Sequence, residues 1–125
     1  MKLSSLARLI AGHIPASDFA AEIGGELSVH SRALEKLGGV ALVDVTEDAD
    51  LLLDRAALGV LVRLYATGAL TAGELAYIAD ALLLSERVEF SGDDIALDLG
   101  ECTDPEINGP LSVARALEIA AGSQP

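Results

Sequence analysis

Alanine and leucine fill 43 of the 125 positions, whereas only Phe19, Tyr65, Tyr77 and Phe90 are aromatic. A chain so composed must build its interior from aliphatic side chains, and both dominant residues are strong helix formers. Hydrophobic residues make up 51% and charged residues 22%, which excludes the weakly hydrophobic, highly charged composition of intrinsic disorder. At this length one core buries roughly two-thirds of the unfolded surface, so a single domain spanning residues 1–125 is expected. The fold class expected is mainly α with a small β-hairpin, a compact bundle of about six helices around a central antiparallel helix pair.

Punctuation along the chain places the elements. Leu3, Leu6, Ala7, Leu9 and Ile10 follow helical spacing, and Arg8 interrupts what would otherwise resemble a secretory leader. A short amphipathic helix is therefore expected, and with it a cytoplasmic location. Ser17 is placed to cap a second helix running to about Leu37, which Gly24 and Gly25 either bend or divide in two. Val40 to Thr46 is rich in β-branched residues and predicts a strand, with Leu51 to Leu53 returning beside it across the turn Glu47–Asp50.

Asp54 suits the cap of a third helix, apolar on most sides and therefore central. Thr71 and Glu74 form the T-x-x-E capping box of a fourth, reaching about Leu84, and the short connection between the two predicts antiparallel packing. Arg87 to Phe90 reads as extended. Ser91 is then expected to cap a fifth helix from Gly92 to about Cys102, and Ser112 to Ala121 forms the last. Arg63, Glu74 and Asp80 interrupt the apolar stretch Leu58–Leu84, so these residues read as buried helices and no membrane crossing is expected.

Twenty acids against eight bases give a formal net charge of −12. The excess is segregated: fifteen acids face three arginines between Asp44 and Glu106, while the remainder of the chain is balanced. Such a surface opposes binding to nucleic acid or to an anionic membrane and suits a basic protein partner. Asp94, Asp98 and Glu101 fall at i, i+4 and i+7, on one face of the fifth helix, where like charges repel. Glu101 also stands near the helix end, where the macrodipole disfavours an anion. Ile95, Leu99 and Cys102 form the neighbouring stripe, so the helix is expected to bury one side and present carboxylates on the other. The expected partner-binding residues are Asp93, Asp94, Asp98, Glu101, Asp104 and Glu106. Reversing Asp98 and Glu101 to lysine is expected to weaken binding while barely changing folding.

No catalytic or cofactor constellation stands out, and the expected chain is not an enzyme and takes no cofactor and no metal. Asp44, Thr46, Asp48 and Asp50 repeat the early spacing of a calcium loop, but Ala49 replaces its turn glycine and Arg55 its terminal Glu. Glu22, Glu26 and His30 lie four apart on the second helix without a second histidine motif to complete a metal site. Cys102 has no histidine near it in sequence and reads as a packing residue at a helix end; as the single cysteine it excludes an internal disulfide. No phosphate-cradling glycine loop is present.

Tyr77-Ile78-Ala79-Asp80-Ala81-Leu82, with Asp104-Pro105-Glu106-Ile107-Asn108-Gly109-Pro110-Leu111 some twenty residues later, resembles a pattern in small bacterial proteins. Some of these look like immunity proteins of contact-dependent growth-inhibition toxin systems. The resemblance covers roughly the C-terminal half. It implies an inhibitor that binds a cognate toxin, often a basic nuclease, and blocks its nucleic-acid surface. The alternative is a structural or regulatory subunit that homo-oligomerises through apolar helix faces, with acidity serving only solubility; oligomeric state is left open.

Overall fold

The structure, a computed structural model, describes residues 1–37, 43, 45–103 and 109–122. It is mainly helical with one two-stranded sheet. The elements are α1 (Leu3–Ile10), α2 (Ala16–Leu37), β1 (Leu51–Leu53), α3 (Arg55–Ala66), α4 (Ala72–Leu84), β2 (Val88–Phe90), α5 (Asp93–Gly100) and α6 (Val113–Ala121). No helix among the described residues is long and apolar enough to cross a membrane.

Local signals set most helix boundaries. Asp54 accepts a hydrogen bond from Ala57 N at 2.8 Å and starts α3. Thr71 Oγ1 accepts from Glu74 N while Glu74 Oε1 accepts from Thr71 N, so both halves of the expected capping box close. Ser112 accepts from Arg115 N at the head of α6.

Two expected caps are corrected. The carbonyl of Pro15, not the hydroxyl of Ser17, receives the first amides of α2, from Asp18 and Phe19, so Ser17 lies inside the helix. Ser91 is drawn into the sheet, its N–H donating to Leu53 O, and α5 therefore begins one residue later than expected, at Asp93, with Gly92 as its N-cap. α2 runs as one helix through Gly24 and Gly25.

Among the described residues the one sheet is parallel rather than a hairpin. β1 pairs with β2 in parallel, in the register Leu51 to Val88, Leu52 to Glu89 and Leu53 to Phe90. A parallel pair needs a long crossover, which α3 and α4 supply. Burial decides the pairing: Leu53 and Val88 point into the core, and the pleat turns Leu52 and Glu89 outward. Of the expected strand Val40–Thr46, Thr46 forms an isolated parallel bridge with Lys2, and most of the rest lies outside the described residues.

Leu58, Leu61 and Val62 of α3 are fully buried, with Phe19, Ile23, Leu53, Leu75, Tyr77, Ile78 and Leu82 around them. The expected central partner of α3 was α4, but its most extensive helix contact is with α6. Small residues permit this. Gly59 faces the backbone of Ala120, and Ala116 is wholly buried at the same seam. Arg63 of α3 donates to Ala120 O at 3.4 Å, placing a cation at the carbonyl end of α6, where the helix dipole favours one.

Candidate functional site

α5 buries Ile95 and Leu99, and Cys102 just beyond it is also buried, as their spacing predicts. The carboxylates beside that stripe do not simply face outward. Arg55, at the start of α3, donates through Nη2 to Asp94 Oδ2 at 2.6 Å and through Nη1 to Asp98 Oδ2 at 2.7 Å and to Ile119 O at 3.2 Å. Arg115 of α6 grips Glu101 with two bonds, Nε to Oε1 at 3.0 Å and Nη2 to Oε2 at 2.6 Å, and its Nη2 lies 3.5 Å from Asp98 Oδ1. Asp98 thus sits between two guanidiniums, with its side chain 21% exposed, while those of Asp94 and Glu101 are 62% and 42% exposed.

This network accounts for charges that are locally unfavourable. Arg55 occupies the positive end of α3 and Glu101 the negative end of α5, each against its own helix dipole. Each is matched from another helix. It also corrects the expected effect of reversing Asp98 and Glu101: lysines there would face Arg55 and Arg115, so folding would suffer as well as any binding.

Hydrogen bonding from Arg55 holds the Asp94 carboxyl below the usual range, and hydrogen bonding from Arg115 does the same for Glu101. A depressed folded pKa means stability that is fully present above the unfolded value, near 4, and lost as pH falls through the lower folded value. The melting temperature should accordingly fall as pH drops below about 4, and more gently in Arg115→Gln than in the wild-type chain. Equal slopes in the two proteins would show that the Glu101 pair is not linked to folding.

Of the six residues expected to bind a partner, Asp93 is exposed and has no ion pair among the described residues; Asp94, Asp98 and Glu101 are brought together by Arg55 and Arg115. Asp104 and Glu106 lie outside the described residues. The region stays negative nonetheless, since Asp93, Asp94, Asp98, Glu101 and Glu118 surround only two arginines.

Sequence reasoning missed a second acidic group beside the sheet. Asp50, Glu86 and Glu89 line a cleft of about 580 Å³ with Leu51, Leu52 and Arg87. These acids were legible only as part of the general excess, because the long-range β1–β2 pairing is what assembles them. Arg87 donates from Nε to Asp50 Oδ1 and from Nη1 to Glu47 O, each at 2.8 Å, and hydrogen bonding from Arg87 keeps the Asp50 carboxyl below its ordinary range. Glu86 and Glu89 are exposed and have no ion-pair partner among the described residues.

Glu22 and Glu26, weighed as metal ligands, are turned toward the N-terminal segment. Glu22 accepts from Ser5 Oγ at 2.8 Å, and Glu26 pairs with the amino group of Met1. No cluster of three or more His, Cys, Asp or Glu is placed to hold a metal among the described residues.

Burial pushes the Cys102 thiol up to about 12, and the negative charges of Glu101 and Asp98 add to the effect. Such a thiol stays protonated near neutrality and is a poor nucleophile. Iodoacetamide at pH 8 should leave it unmodified in the native chain and label it once denatured; prompt labelling of the native chain would show that this helix end opens readily.

Set against protein-family models, the curated proteins and the solved structures, the chain matches none of them.

Proposed function

We propose that this chain is an acidic protein-binding module, an immunity-type inhibitor that covers the basic surface of a toxin or nuclease. The observation that carries the reading is the uncompensated negative charge along β2 and α5. Glu86, Glu89 and Asp93 stand exposed there without cationic partners among the described residues, next to carboxylates held in fixed positions by Arg55 and Arg115. Fixed carboxylates lose little freedom when a partner's cations arrive, and a one-signed surface speeds encounter with a basic cleft. The resemblance of residues 77–82 and 104–111 to immunity proteins supports the same partner class.

Co-expression tests the reading. The chain is produced together with the C-terminal domains of large secreted proteins encoded beside its gene. One such domain should be toxic alone and harmless with the wild-type chain, and the Glu89→Lys/Asp93→Lys variant should protect less. If every toxic domain stays toxic beside the wild-type chain, the inhibitor reading fails.

One observation favours a second reading, a subunit that self-associates. Val113 and Leu117, at i and i+4 on α6, are both about half exposed, at 51% and 50%. A dimer by light scattering that becomes monomeric in Leu117→Glu would favour that reading.

A further inference from the structure

The pleat of the β1–β2 sheet sorts its side chains: Leu53 and Val88 are buried, and Leu52 and Glu89 are paired neighbours on the outer face. Leu52 is 54% exposed, the only large apolar side chain of the sheet so open to solvent. Adjacent strands lie about 5 Å apart, so an exposed apolar side chain and a carboxylate without an ion pair among the described residues stand side by side. The cleft running past them takes further carboxylates from Asp50 and Glu86. Among the described residues its one base is Arg87, which is folded back onto Asp50 and the Glu47 carbonyl, so Glu86 and Glu89 have no ion-pair partner among those residues.

We propose that this outer sheet face is the seat of an arginine side chain from the basic partner, and the inference rests on the acidic-module reading above. Charge fixes the sign of the occupant, and the apolar neighbour selects among cations. An arginine can lay its aliphatic stem on Leu52 while its planar guanidinium meets the Glu89 carboxylate with two parallel bonds, and Glu86 adds a further acceptor. Lysine satisfies the charge as a compact, strongly hydrated ammonium and gains less from the same pairing. The surface therefore distinguishes arginine from lysine, which a diffuse negative field does not.

The test uses the full chain, labelled with ¹⁵N, titrated at low salt with octa-arginine and separately with octa-lysine, two probes of equal side-chain charge. Octa-arginine should shift the amides of Leu51–Leu53 and Val88–Phe90 and bind several-fold tighter than octa-lysine. Glu86→Lys/Glu89→Lys should weaken octa-arginine binding by about tenfold or more. Leu52→Ser should erase the preference for arginine while leaving octa-lysine binding unchanged. All three side chains are exposed, and circular dichroism checks that the variants remain folded.

Equal binding of the two peptides, shifts confined to α5 and α6, or indifference to the Glu86/Glu89 reversal would overturn the sheet-face site while leaving a basic partner for the module. Failure of both peptides to bind the wild-type chain would overturn the acidic-module reading itself.

Discussion

Arg55→Met should lower the unfolding free energy by about 2 kcal/mol, because it removes one partner from a partly exposed polar cluster, in which Asp98 is the least exposed carboxylate, and leaves the others. Methionine keeps much of the aliphatic stem that lies against Gly122, so the loss reports the guanidinium rather than its volume. What remains is Asp94 and Asp98 one turn apart, Asp98 with only the longer 3.5 Å approach of Arg115, and the Ile119 carbonyl without its donor. The arginine is 24% exposed, so solvent screens part of the interaction and the cost falls short of that of a fully buried pair. Chemical denaturation gives the value. A double-mutant cycle with Asp98→Asn should return a coupling close to half the total, since Asp94 and Ile119 share the rest. A change within a few tenths of a kcal/mol would mean that α5 is held by Ile95 and Leu99 alone.

The second large effect belongs to the seam between α3 and α6. A Cβ at Gly59 would meet the Ala120 carbonyl oxygen and Arg63 Nη1 at 3.4 Å, the near limit of ordinary contact. Gly59→Ala should therefore be tolerated or stabilise by up to about 1 kcal/mol, as alanine favours the helix over glycine. Gly59→Leu has nowhere to put its branched end except into the backbone of α6. It should cost about 3 kcal/mol and displace α6, taking Arg115 and its grip on Glu101 with it. Near-equal stability of the alanine and leucine variants would show that the two helices are not closely apposed at this point.

These two predictions share an origin that the linear chain hides. Asp54 and Thr71 with Glu74 announce their helices because a cap is a bargain between residues three apart, and the structure honours both. Ser17 and Ser91 carry the same local signal, yet a proline carbonyl and a sheet hydrogen bond take their places. Competition of that kind is invisible to a window of three or four residues.

The acids of α5 make the same point about function. Their i, i+4, i+7 spacing places them on one face, and the structure keeps them together. Whether that face is bare or clamped depends on Arg55, some forty residues upstream, and on Arg115, fourteen beyond Glu101. The sheet-side group of Asp50, Glu86 and Glu89 depends likewise on a strand pairing across two intervening helices.

By itself, the order of residues determined a helical body with an aliphatic interior, the caps of α3 and α4, the buried stripe of α5 and the uneven spread of negative charge. Folding in three dimensions decided that β1 runs parallel to β2, that α6 rather than α4 lies closest along α3, and which carboxylates are matched by arginines. The division has a physical cause. Helix periodicity and capping act over a few residues and are written where they operate, whereas strand partners and ion pairs between helices are chosen by the burial of Leu53, Val88, Gly59 and Ala116, which only the assembled core specifies.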